Sequence, residues 1–294
     1  MRKIFIAFVI IVSSNFYLIA SEKEKGRRYD FSKPHQTFVL PDTLREISGV
    51  TEIDSQTVAC VQDENGILFI YDLQEKKIRS QGLFHPDGDY EGIARVGNAM
   101  YILRSDGLLI EIPNFHFPDK NVKTYITGIP ADNNEGLCYD ASANRLLIAC
   151  KSKVGKGPEF KDLRMVYAFD LLTKKLQQNP VFTFNMSEIK SFVVKNSVST
   201  TVRVKKNNSG SEPMIRFRTS AIALHPFTNE LYLLSAADHM LFVFNANGDI
   251  LHVEQLDASV YNKAEGITFL SNGDMLITNE AQLKRPTLLR LNYE

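Results

Sequence analysis

Three glutamates carry the clearest chemical signal in this sequence. Each opens a similar short word, with glycine and then an aliphatic residue behind it: "YEGIAR" from Tyr90, "NEGLCY" from Asn134 and "AEGITF" from Ala264. Aligning "SGVT" from Ser48 and "SAIA" from Ser220 with them gives the series Ser48, Glu91, Glu135, Ser220 and Glu265. The intervals are 43, 44, 85 and 45 residues. A second polar series, Asp63, Ser105, Lys151, Ser235 and Glu280, follows 14 to 16 residues behind the first. If three such carboxylates meet, they cannot all stay ionised without a counter-charge. A hard cation on oxygen ligands answers that need, and calcium suits a flexible ring of carboxylates, hydroxyls and waters better than magnesium does. No CxxC or HExxH spacing occurs, so zinc is not indicated. The alternative is structural: each glutamate accepts backbone N–H bonds from its neighbours, or pairs with Lys151 or Arg104.

The elements that must position these residues follow from the same period. Behind each first strand come a turn ("YDASANR", "HPFTNE", "LSNGD") and a second apolar strand ("AMYILRSD", "LYLLSAAD", "MLITNEA"). A third strand ("ILFIYDL", "MVYAFDL", "LFVFNANG") and a weaker fourth complete the unit. Short strands in sets of four at a period near 45 residues describe an all-β propeller. The last unit lacks its fourth strand, and "HQTFVLP" ahead of the first can supply it and close the ring. The long interval between Glu135 and Ser220 decides the blade number. Residues 187–217 have room for a short helix or a hairpin, so five blades with insertions near 152–164 and 187–217 are expected, six being the alternative.

In a propeller the first strand lines the central channel, and the second returns to the end where the first began. Both polar series are thereby placed around one mouth. The expected lining is Ser48, Asp63, Glu64, Ser105, Lys151, Ser220, Ser235 and Asn279 beside the glutamates. His225, at the far end of a first strand and before Pro226, reads as structural.

The chain has 294 residues with 34 basic and 34 acidic side chains and no basic run of five, which gives no support for a nucleic-acid surface. "MRKIFIAFVIIVSS" has the charged-then-apolar order of a secretory signal, expected over 1–21 with a linker over 22–35. The apolar stretch falls short of the ~20 residues of a full span. Export to the periplasm or cell envelope is therefore expected, with membrane attachment only through an uncleaved N-terminal segment. The protein reads as a monomer. Three cysteines, Cys60, Cys138 and Cys150, read as buried thiols, and Cys138 with Cys150 across one turn leaves a cross-strand disulfide open.

The ordered words "EISGV", "DYEGIA", "NNEGLCYD", "TSAIALHPFTNELYLLS", "KAEGITFLSNGDMLITNEA" and "TLLRLNY" resemble the SdiA-regulated, YjiK-like family of bacterial envelope propellers over about residues 36–294. That resemblance implies a calcium-binding or active-site pocket at the channel mouth, holding Glu91, Glu135, Glu265 and Glu280. The segment "VKNSVSTTVRVKKNNSGSE" departs from the family's pattern. Two functions are expected: an exported binding or scaffold module for a small-molecule or envelope ligand, or a calcium-dependent hydrolase. In the second, the metal would polarise an ester, lactone or phosphate oxygen and a rim carboxylate would act as base.

Overall fold

The computed structural model describes residues 28–204 and 211–294; the expected signal segment lies outside them. Five antiparallel four-stranded sheets are arranged as blades around a central axis. Blade 1 is β2 (Ile47–Asp54), β3 (Thr57–Gln62), β4 (Ile67–Asp72) and β5 (Lys77–Leu83). Blade 2 is β6 (Tyr90–Val96), β7 (Ala99–Arg104), β8 (Leu108–Ile112) and β9 (Lys123–Ile126). Blade 3 is β10 (Asn134–Asp140), β11 (Arg145–Cys150), β12 (Leu163–Asp170) and a broken outer edge, β13 (Lys175–Leu176) and β14 (Phe182–Asn185). Pro180 lies in the break, where it has no N–H to give to a ladder. Blade 4 is β17 (Ala221–Leu224), β18 (Leu231–Ser235), β19 (Met240–Phe244) and β20 (Ile250–Gln255). Blade 5 is β21 (Ala264–Phe269), β22 (Met275–Asn279) and β23 (Thr287–Leu291), completed by β1 (Gln36–Val39), which runs antiparallel to β23 from Gln36↔Arg290 to Val39↔Thr287. The ring is thus closed by strands from the two ends of the fold, which removes two open sheet edges.

Strand alternation sends successive side chains to opposite faces of a blade, and the core divides accordingly. In β3, Val58 and Cys60 pack with Leu276 and Leu288 of blade 5, whereas Ala59 and Val61 pack with Ile93 and Met100 of blade 2. Each blade-to-blade interface has its own buried apolar cluster, and the five clusters account for a closed five-membered ring.

The long third unit holds both elements its length allows: helix α1 (Met186–Lys195) and a hairpin of β15 (Val202–Val204) with β16 (Ser211–Pro213). Asn185 caps the helix by accepting from the Ser187 N–H. Met186, Ile189 and Val193 form its buried stripe, packed with Phe184, Phe217 and Phe242 between blades 3 and 4. Further upstream, Tyr29 and Phe31, within the expected linker, are buried on blades 4 and 5, and the Tyr29 hydroxyl donates to Gly273 O at 2.6 Å. The register sets Cys138 opposite Leu147 and Cys150 opposite Asn134, so the two thiols do not face each other and both are free.

Candidate functional site

The glutamate words recur because each one builds a β-bulge. Pairing with the second strand skips Ser48, Glu91, Glu135 and Glu265 in turn, leaving each as the extra residue between two paired neighbours. A bulge re-aims one side chain and bends the strand, which suits the rim of a closed ring. The glycine that follows has a packing reason. A Cβ on Gly92 would lie 2.7 Å from Leu137 Cβ and 3.1 Å from Glu135 O, because the first strand of blade 3 presses directly against it.

The serines of the same series have a different task. Ser48 Oγ donates to Tyr90 O and Ser220 Oγ to Ala264 O at 2.7 Å, so each ties the start of its blade to the residue before the next blade's glutamate. Past the bulges stand Val50, Ile93, Leu137, Ile222 and Ile267, all buried. They form an aliphatic tier between the mouth and a second cavity of about 370 Å³ at the opposite end of the channel.

The second polar series meets the first at the same mouth. The N–H groups of Asp63, Ser105, Lys151 and Glu280 donate to the carbonyls of Glu46, Asp89, Asn133 and Lys263 at 2.9 to 3.1 Å, each acceptor standing two residues before a bulge. In blade 4 the Arg218 N–H donates instead to Ser235 Oγ at 3.2 Å. Glu46, Asp89, Asn133, Arg218 and Lys263 therefore form a further polar ring that the sequence reading missed. The signal was present as "EIS", "DYE", "NNE", "RTS" and "KAE": a polar residue two places ahead of every ring residue, at strand period.

Two ammonium groups organise the carboxylates. Lys151 Nζ is ion-paired with Glu135, and Lys263 Nζ with Glu280 and, at 3.7 Å, with Glu265. Glu135 is almost wholly buried; burial raises its carboxyl to about 7 although Lys151 pulls the other way. Burial likewise holds Glu265 and Glu280 near about 7 against the pull of Lys263. Glu91 is the exception. It has neither a hydrogen-bond nor an ion-pair partner among the described residues, and burial beside Glu135 and Asp89 pushes its carboxyl up to about 9. Asp63 is raised to about 6 by burial and by Glu46 and Asp89, and its Oδ1 is buried without a donor.

The remaining expected residues take lesser parts. Glu64 is exposed at the rim. Ser105 contributes its carbonyl, which accepts from the backbone and side-chain amides of Asn134. Asn279 is stitched to Val260 O and Thr287 Oγ1. Arg104 pairs with Asp106 and does not reach the glutamates. His225 fits the structural reading: its Nδ1 accepts from the Phe227 and Thr228 N–H groups, and burial lowers it to about 4.

Over blades 3 to 5 the mouth opens into a cavity of about 330 Å³, lined by Glu135 and Glu265, Lys151 and Lys263, Arg218 and His239. His239 was not anticipated, since it sits in the turn after β18 with a left-handed backbone. Its Nδ1 donates to Tyr261 O at 2.9 Å, a carbonyl that can only accept, so in the neutral ring Nε2 is the bare nitrogen. The residues do not form a ready metal cage. Among the described residues no group of three or more aspartate, glutamate, histidine or cysteine side chains stands close enough to hold an ion, and Glu135 and Glu280 are already engaged by lysines.

No protein family and no curated protein matches this chain in sequence. Solved structures do match it in shape. The glutaminyl cyclase of Myxococcus xanthus superposes with a TM-score of 0.59 over 89% of this chain and 96% of that one, at 13% identity. A chain of a nidogen/laminin complex does so with a TM-score of 0.51 over 82% and 74%, at 12% identity. At such identities the likeness shows one thing, a shared β-propeller fold.

Proposed function

We propose that this protein is an exported propeller of the SdiA-regulated type whose channel mouth binds a small ligand by accepting a positive charge. The observation that carries the reading is a surplus of acid. Asp63, Glu91, Glu135, Glu265 and Glu280 share one field with two ammonium groups, and Glu91 is ion-paired with neither. A buried carboxyl in that position stays protonated until a cation arrives, and then ionises. An ammonium or guanidinium group suits the site best, because two lysine ammonium groups already occupy equivalent places on Glu135 and Glu280. Calcium would have to draw those carboxylates away from their lysines.

The test is calorimetric titration with n-butylammonium and, separately, with calcium chloride, each near neutral pH in two buffers of different ionisation enthalpy. Binding should release a proton from Glu91, making the heat depend on the buffer, and Glu91→Gln should abolish that dependence. Absence of binding by both cations sinks the reading.

A second reading, acid–base hydrolysis, has its own support. Glu91 and the Glu135–Glu265–Glu280 group are held at different protonation levels, the arrangement that separates an acid from a base. The bare His239 Nε2 borders the same cavity. Turnover of an ester, lactone or phosphoester that Glu91→Gln abolishes would favour it.

A further inference from the structure

The charges around the mouth are segregated by blade. On blades 1 and 2, Glu46, Asp63, Asp89 and Glu91 are all acids. Asp63 Oδ1 is buried there without a donor, and so, on the near side of blade 3, is Asn133 Oδ1. Blade 3 balances Glu135 with Lys151, and blade 5 sets Lys263 against Glu265 and Glu280. Blade 4 brings Ser220, already bonded to Ala264 O, and Arg218. In a ring of five, the fourth member stands across from the edge shared by the first and second. Arg218 therefore belongs to the blade that stands across the ring from the acidic pair.

Arg218 is also an available cation. Its guanidinium is exposed, lines the 330 Å³ cavity, and has no hydrogen-bond or ion-pair partner among the described residues. Its backbone is fixed on both sides: the Arg218 N–H is held by Ser235 Oγ, and the Thr219 N–H donates to Lys151 O at 3.1 Å. Arg164 holds the preceding turn by donating to Phe217 O at 3.0 Å and Arg216 O at 3.1 Å. A planar guanidinium on a backbone anchored this way is a fork for a carboxylate or a phosphate.

We infer that the mouth takes a dipolar ligand, its carboxylate or phosphate group on Arg218 and its ammonium group on the acidic side formed by Asp63, Asp89 and Glu91. This rests on the cation-accepting mouth proposed above and adds the anionic half. Segregated charge discriminates orientation as well as identity, since a ligand entering reversed would set like charges against each other.

The experiment is calorimetry on the intact chain with glycine, γ-aminobutyrate and ε-aminocaproate, against butyrate and n-butylammonium, for the natural protein and Arg218→Gln. At least one ω-amino acid should bind about tenfold more tightly than either single-charge probe, the worth of one added charge-assisted contact. Arg218→Gln should reduce it to the affinity that n-butylammonium shows for the same variant. If n-butylammonium binds but no ω-amino acid binds more tightly, or if Arg218→Gln has no effect, the dipolar inference falls and the cation-accepting mouth stands. If no ammonium compound binds, the dipolar inference falls, and the cation-accepting mouth falls with it when calcium does not bind either.

Discussion

Replacing Glu91 by glutamine isolates the electrostatic claim at the centre of this site. The amide keeps the side chain's shape but removes its ability to ionise. In the folded chain the Glu91 carboxyl is held up to about 9 by burial and by Glu135 and Asp89, against an ordinary value of 4.5. The folded state therefore keeps a proton that the unfolded chain gives up. The natural protein must lose stability as pH rises through that interval, because stability falls wherever the native state binds more protons. Between pH ~5 and pH ~8 one such proton amounts to about 1.4 kcal/mol per pH unit, a ceiling of ~4 kcal/mol. Water entry and relaxation at a partly exposed carboxyl bring the expectation nearer ~2 kcal/mol. For a domain of this size that is about 4 °C or more in melting temperature. Thermal unfolding of both proteins in one buffer at pH ~5 and another at pH ~8 is the assay. The variant should melt close to the natural protein in acid and clearly above it in alkali. A constant difference across the two buffers would show that Glu91 ionises freely in the folded chain, and the electrostatic account of the mouth would be wrong.

Lys151→Met leaves Glu135 buried without its counter-charge and should cost ~1–3 kcal/mol, less than a fully buried pair because Lys151 is partly exposed. Adding Glu135→Gln should restore most of that loss, and a double-mutant cycle by chemical denaturation with no coupling would refute the pairing. Gly92→Ala forces the new Cβ against Leu137 and should cost ~1–3 kcal/mol; an equally stable variant would show that blades 2 and 3 have room to part. Tyr29→Phe should lose ~1 kcal/mol with the bond to Gly273 O. Tyr29→Ala should lose ~3 kcal/mol or more by opening the cluster with Phe31, Tyr232 and Phe269; denaturant midpoints that do not move would mean the upstream segment is not part of the folded unit.

Much of the architecture was legible because propellers repeat. Four strands per unit, a period near 45 residues and a missing last strand fixed the blades and their closure, and the third unit was too short for a sixth blade. The convergence of the two polar series was legible too, since antiparallel strands of about six residues bring a strand's start and its partner's end to the same rim. The bulges were not. "EG" carries the residue types, but the extra residue is created by pairing with a strand about 15 positions away.

The sequence by itself therefore determined two of the polar series that ring the channel, because a period needs only one chain to be read. It also determined that acid predominates among them. Only the tertiary structure decided which carboxylates are paired, since Lys151 and Lys263 each take their partners within their own blade, by distance. It likewise left Glu91 without an ion pair and put Arg218 on the blade across the ring from those of Asp63 and Asp89. Ionisation and charge balance depend on separations between different blades, and those exist only once the ring has closed.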